Sequence, residues 1–248
     1  MRDLATKGPH CSEFLLYAIF ACQANYPIVW ILEMIPITPQ RQDAASFGDV
    51  TNCWQNSLCS YLPVYQRLWA CCWGLLLLGS TYITRGETSK GWVYTGHALR
   101  MVFDLGLHLD PKEGNRSPEE AEIRKRVFWA TFICDKLQSL YLGRPMTINL
   151  RDAHISRDFH DTFEELELWK PCTDRMTALN PGSLSFRPTP IHSVSTFQQF
   201  CSLSRIMTKI IRGFYVVGAS SRNAEASLQV VNDALQSWKH CLPKRPSF

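Results

Sequence analysis

The clearest signal along the chain is a helical period of apolar positions, punctuated by proline and glycine. Ile123, Val127, Ala130, Cys134, Leu137 and Tyr141 recur at spacings of four and three, which marks one buried helical stripe. Phe128 and Phe132 widen the stripe, so this helix is expected to pack on more than one side. Its ends are also legible. Ser117-Pro118-Glu119-Glu120 supplies a capping hydroxyl, a proline where a missing N–H does no harm, and the acid of a capping box. Gly143 can adopt the left-handed conformation that closes a helix, and Pro145 prevents continuation. Glu120–Arg124 and Glu122–Arg126 stand one turn apart, each pair worth about 0.2–0.5 kcal/mol on an exposed face.

Further helices follow from the same rule. Residues 64–83 carry Leu68, Cys72, Leu75, Gly79 and Tyr82 at helical spacing, and Trp69, Trp73, Leu76 and Leu77 make this segment apolar nearly all round. Its charge-free run approaches the roughly 20 residues of a bilayer span. Ser80, Thr81 and Thr84 make its end polar, so the apolar part is expected to stop near Gly79 and the segment reads as a core helix. A turn around Gly86 leads to a helix over 91–106, striped by Trp92, Gly96, Leu99 and Phe103, with Gly106 as its C-cap. Phe197, Phe200, Ser204, Met207, Ile211 and Phe214 stripe a later helix, capped by Ser193 or Ser195, with Arg205, Lys209 and Arg212 on another face. Leu228, Val231, Leu235 and Trp238 stripe the last, over 223–240. Residues 12–25 read as a first core helix. Glu13 abuts its apolar run and the small-residue site after it is poor, against a signal peptide. Residues 27–63, with Pro27, Pro36 and Pro39, have no clear period. Residues 151–187 form a connector, with a short amphipathic turn at Phe163, Leu166 and Trp169 and turn signals at Asn180-Pro181-Gly182, Pro188 and Pro190. No segment alternates like a strand. The fold class is all-α, an irregular helical bundle.

Composition agrees. The chain has 248 residues, 46% hydrophobic and 19% charged, an ordinary globular balance. A net charge of +4 with dispersed basic residues does not argue for nucleic acid. The one tight basic run, Arg124-Lys125-Arg126, reads as the solvated face of its helix. The ten cysteines contain no C-x-x-C and no zinc-ligand spacing. Cys134 and Cys201 fall on apolar stripes, where a free thiol acts as a small hydrophobe. The reading is a reducing compartment without disulfides.

Candidates for chemistry are few. His97, Asp104 and His108 are spaced to share a helix face, but ordinary polar and capping roles account for them better than a metal. His160-Asp161 matches the dyad of HD-type metal-dependent hydrolases, which need further ligands from neighbouring helices. No phosphate-binding loop, dinucleotide fingerprint or nucleophile elbow occurs. Arg144 in Gly143-Arg144-Pro145 could receive an anionic ligand, but an arginine just past a helix end also satisfies free carbonyls. Trp92, Trp129 and Tyr141 could line a cavity between helices, though such aromatics are more often core.

The string from Gly91 to Ile155 resembles the fungal-specific transcription factor domain, the middle homology region of binuclear zinc cluster regulators. Trp92, Tyr94, Gly96, Ala98, Arg100 and Met101 are similar to its "W-x-Y-x-G-x-A-x-R-M" helix. Asp104, Gly106 and His108 stand as in "DLGLHRD", with Leu109 in the basic place. Glu122, Arg124, Arg126, Phe128, Trp129, Asp135, Gly143, Arg144 and Pro145 follow "E-x-R-R-R-V-F-W…D…S-x-x-L-G-R-P", with Lys125 for the middle arginine. Asp152 takes the acidic place of "I-x-x-x-D-x-x-V". Residues 64–83 are similar to the family's "Q-x-L-x-L-L-x-x-Y" helix. The resemblance implies a regulatory domain that controls nuclear transcription and is not an enzyme, with these motif residues in architectural roles. It divides the chain into an N-terminal helix (1–26), a divergent loop region (27–63), the domain core (64–155), a connector (156–191) and C-terminal helices (192–248). The family's zinc cluster needs six cysteines in a short basic segment, which this chain lacks. Zinc and DNA are therefore expected only through a module outside it. A small-molecule effector, a second copy or coregulator proteins are the implied partners, with no membrane. The family domain continues past the last helix, and missing helices would leave apolar surface that favours association. The HD-type hydrolase is the alternative reading.

Overall fold

The structure is a computed structural model that describes residues 64–110, 117–161, 165–168, 190–215 and 221–242. Within them lie α1 (Val64–Thr84), α2 (Thr88–Asp104), α3 (Pro118–Leu142), a 3-10 turn (Leu150–Asp152), α4 (Ser193–Phe214) and α5 (Ser221–Cys241). The described residues hold no strand, only isolated bridges between Leu109 and His154 and between Leu168 and Pro190. The all-α class predicted from periodicity is the observed one. The expected helix at 12–25, the 27–63 region, the turn at 180–182, Pro188, and Phe163 and Trp169 of the short amphipathic turn lie outside the described residues.

α1 and α2 form an antiparallel hairpin held at very close range. Gly79 and Gly91 face each other across it. A Cβ on Gly91 would stand 2.5 Å from the Gly79 carbonyl oxygen, and one on Gly79 would overlap the Thr95 hydroxyl. Further along, the Cys72 thiol donates to the Ala98 carbonyl at 3.5 Å, and Tyr82 stacks on Tyr94 with centroids 5.2 Å apart. This approach corrects two expectations. The buried stripe of α2 is Gly91, Thr95, Ala98, Leu99 and Val102, not the one through Trp92, Gly96 and Phe103, because the small residues face α1. The core also continues past Gly79. Ser80, Thr81, Tyr82 and Ile83 are all buried, and the Thr81 hydroxyl is satisfied by the Leu77 carbonyl at 2.9 Å within its own helix. Among the described residues no helix is long and apolar enough to cross a membrane.

α2 ends in a Schellman motif. The Gly106 N–H donates to Phe103 and the Leu107 N–H to Val102, at 3.0 and 2.9 Å. Gly106 has φ +62, and Leu107, fully buried, is the apolar plug that accompanies such an end. α3 starts and stops where its sequence says. The Ser117 hydroxyl accepts from the Glu120 N–H at 3.2 Å, and Gly143 closes the helix at φ 64. Val127, Phe128, Trp129, Phe132, Ile133 and Cys134 join residues of α1, α2 and α4 in one core. The stripe stops short of Tyr141, which is 75% exposed in the last turn of the helix.

α4 packs on α3 and α5 on α4. Phe197, Cys201, Ser204 and Ile211 face the core, and Arg205, Lys209 and Arg212 face solvent, as their spacing predicts. The cap of α4 differs. Neither Ser193 nor Ser195 caps it, and His192, at φ 52, is the N-cap residue without a side-chain bond. Instead the Glu165 carboxylate reaches in from the preceding segment. It accepts from the Ser195 N–H at 3.0 Å and from the Ser195 hydroxyl. Its His192 contact is 3.2 Å. Burial opposes the charge on Glu165, yet the Ser195 and His192 bonds outweigh it and hold the carboxyl below its usual range. On α5, Val231 is buried but Leu228, expected in the stripe, is 59% exposed, because α4 alone covers this helix among the described elements.

The glycines give opposed expectations. Gly79→Ala should lower stability by about 1–3 kcal/mol through overpacking, read as a drop of several degrees in Tm. Gly96→Ala adds a methyl that meets only the Arg100 guanidinium, at an ordinary 3.5 Å, and should raise stability by about 0.5–1 kcal/mol. Equal effects at the two sites would contradict the packing described for α1 and α2.

Candidate functional site

The chain leaves α3 at Gly143 and returns along it as an extended strap. That strap has no sheet partner, so its backbone polar groups need other partners. Side chains of α3 supply them in reverse order along the helix. Lys136 Nζ donates to the Ile148 carbonyl at 2.5 Å, and Trp129 Nε1 to Ser156 at 2.9 Å. Lys125 Nζ donates to Asp158 at 2.6 Å, and Arg126 Nη2 to His160 at 2.7 Å. Glu122 accepts the His160 N–H at 3.1 Å and pairs with Arg126 at 2.7 Å. The other flank is tied to α2, since His154 N–H donates to the His108 carbonyl at 2.9 Å and Asp110 N–H to His154 at 2.7 Å.

This corrects the reading of Arg124-Lys125-Arg126 as a solvated face. Arg124 and Arg126 are buried, and the Glu122–Arg126 pair is an interior one. Arg124 Nη2 donates to the Leu105 and Gly106 carbonyls at 3.1 Å each, completing the end of α2. A helix surface is solvated only where nothing folds over it, and the strap and the end of α2 do so here.

At the strap's start lies a fully buried ion pair. Asp135 and Lys136 are both 0% exposed and bonded at 2.5 Å. Asp135 also accepts the Thr147 N–H at 3.0 Å and the Ile148 N–H at 2.9 Å, while Lys136 Nζ sits 4.6 Å from the Phe132 ring centroid. Burial pulls the Lys136 ammonium below the usual lysine range, Asp135 opposes that, and Arg212 adds to it. Adjacent residues do not normally share a helix face, and the long lysine stem is what allows the two heads to meet. The sequence reading singled out Asp135 but passed over Lys136. The available signal was two adjacent charges inside an otherwise apolar run from Val127 to Leu137.

The remaining motif residues divide by environment. Phe128 is core. The His108 ring lies beside Phe103, centroids 5.0 Å apart, beyond the Gly106 cap. Ser139 Oγ donates to the Pro145 carbonyl at 3.4 Å. Trp92 is half-buried, with the Arg144 guanidinium 5.2 Å from its ring centroid. Gly96 is half-buried, and Arg100, Asp104 and Asp152 are exposed.

Among the described residues no group of three His, Cys, Asp or Glu side chains is placed to hold a metal ion. His97 and Asp104 are exposed and His108 half-buried, and the His160 backbone serves the strap. Of the described cysteines, Cys71, Cys72, Cys134 and Cys201 are buried and Cys241 is exposed. Burial pushes the thiols of Cys72 and Cys134 up to about 12 and that of Cys201 up as well.

Two expectations follow. Asp135→Asn strands the buried ammonium and should cost about 3–5 kcal/mol, with faster hydrogen exchange at the Thr147 and Ile148 amides. Lys136→Met, which leaves Asp135 its two amide donors, should cost less, and the reverse order in urea titrations would contradict this assignment. The thiols predict alkaline destabilisation. Their raised folded values mean that the unfolded state loses its protons first, so stability is full below about pH 8.5 and falls as pH rises toward about 12, by about 1.4 kcal/mol per pH unit per thiol. Cys134→Ala should flatten that fall by one thiol's share in urea midpoints measured from pH 8 to 10.

Comparison with known proteins places this architecture. Residues 2–240 match the fungal specific transcription factor domain. An uncharacterised transcriptional regulatory protein of Schizosaccharomyces pombe is 31% identical over 245 residues, 95% of this chain and 37% of that protein. The nitrogen assimilation transcription factor nirA of Emericella nidulans is 31% identical over 165 residues, 64% of this chain and 18% of that protein. The quinic acid utilization activator of Emericella nidulans is 29% identical over 171 residues, 68% of this chain and 20% of that protein. The chain thus spans 37% or less of the length of these relatives. No solved structure matches it. A match that runs through nearly the whole sequence, with motif residues such as Glu122, Arg126 and Asp135 joining the strap to α3, leaves one conclusion: the chain belongs to the fungal-specific transcription factor domain family.

Proposed function

We propose that this chain is the regulatory, middle homology region of a zinc-cluster-type transcription regulator and acts in the nucleus on DNA-templated transcription. The observation that carries the reading is the family match over residues 2–240, supported by relatives whose names are those of a transcription factor and an activator. The chemistry of the described residues agrees. The buried charges of α3 are engaged with backbone and with one another, as a scaffold requires.

In this reading DNA contact and zinc belong to a module outside the chain. The core over 64–155, the connector over 156–191 and the helices over 192–248 transmit the state of an effector, a second copy or a coregulator to that module. Strap closure is the element available to couple them, since it joins α3 to the ends of α2 and, through the connector, to α4.

The test places the chain between a bacterial repressor's DNA-binding domain and an acidic activation segment, on a yeast reporter. Output should change at least about fivefold relative to the same fusion without the chain, the low end of ordinary coupling energies. Asp135→Asn should abolish that change at matched protein levels. Reporter output identical with and without the chain, in a fusion shown to occupy its operator, would overturn the reading.

A further inference from the structure

We infer that the outer face of α2, together with Arg144, is a docking surface for an acidic protein segment that carries apolar side chains. The inference stands on the surface itself and does not depend on the proposed regulatory role.

The contrast within α2 and α3 points there. Arg124, Lys125, Arg126 and Lys136 all have internal acceptors. Among the described residues Arg100 has an acceptor only within its own helix, and the Arg144 guanidinium has none. Arg100 bonds only to the Gly96 carbonyl, at 3.1 Å, so its guanidinium folds back along the helix toward Trp92. Arg144 has the Trp92 ring as its contact, at 5.2 Å. Among the described residues neither forms an ion pair. Trp92, Gly96 and Arg100 lie one turn apart in succession, with Val93, 55% exposed, beside them. The result is an indole beside the Arg144 guanidinium, with a second guanidinium further along the helix and an exposed aliphatic side chain.

Gly96 adds a second observation. Glycine weakens a helix, and elsewhere in α2 it is explained, because Gly91 admits the backbone of α1. At Gly96 nothing crowds the missing Cβ except Arg100 itself. Its effect is to let the Arg100 guanidinium lie back over the helix at this turn.

Chemistry selects the partner. Guanidinium groups without carboxylates are matched by carboxylates, which they can bind in a bidentate fashion. Trp and Arg together are the residues that most often anchor protein interfaces. A nucleic acid fits less well. Two cations are too few to track a backbone. The residues run along a helix face, which suits an extended or helical segment of protein.

The test uses the purified chain and a fluorescein-labelled synthetic peptide that alternates aspartate with phenylalanine and leucine, read by fluorescence anisotropy. The double variant Arg100→Gln/Arg144→Gln should weaken binding at least about tenfold, equivalent to about 1.4 kcal/mol, with circular dichroism and Tm unchanged. Val93→Asp, on the exposed strip, should weaken it likewise by charge repulsion. Arg205→Gln/Lys209→Gln, which removes two comparably exposed cations from α4, should leave it within about twofold. Three results would overturn the inference: no binding beyond that of a glycine-serine peptide, equal loss in both double variants, or tighter binding of a DNA duplex through Arg100 and Arg144.

Discussion

The structure depends on one constraint: an extended segment that pairs with no strand must still satisfy its backbone. In a sheet the neighbouring strand would do this. Here the strap after Gly143 runs back over α3, and the side chains of that helix take the place of a strand. A helix presents side chains about every turn, so only some carbonyls of the strap can be reached. Long donors are needed to reach them, which is why lysine, arginine and tryptophan occupy these positions. Where the donors are cationic, as lysine and arginine are, their bonds to carbonyls are stronger than neutral ones, and loss of a partner leaves an uncompensated charge indoors. The strap is therefore held all together or poorly.

The same logic explains why α3 is central. It carries core aromatics on one side and charged strap anchors on the other, so it is buried nearly all round. Its register is fixed at both ends, by the Ser117 cap and the left-handed Gly143. Arg124 adds a third fixed point by closing α2. The hairpin of α1 and α2 is then set at glycine-limited distance against that frame. A local change in the strap would be felt in α2 through His108, His154 and Asp110, and in α4 through Arg157 and Ser202. A regulatory element needs such connections, since coupling between sites is carried by packed elements that share partners.

What the sequence determined by itself is the helical character of the described elements and the ends of α2 and α3 at Gly106, Ser117 and Gly143. Helical periodicity, the Ser117-Pro118 start, and the glycines at 106 and 143 act through neighbours within a few residues, so local rules suffice. The order of residues from Trp92 to Asp152 also carried the family, because a motif is a property of sequence. The tertiary structure decided which polar groups are inside. Arg124 and Arg126 have the local pattern of a solvated face, and the strap and the end of α2 bury them from 18 to 34 residues away. Lys136 is hidden for the same reason, its carbonyl partner being 12 residues on. The face of α2 that is buried was decided by Gly79 on another helix, and the cap of α4 by Glu165, 30 residues before Ser195. Apolar periodicity reports how a segment meets water, but hydrogen bonds between distant residues form only once the chain has brought them together, and no local pattern encodes that meeting.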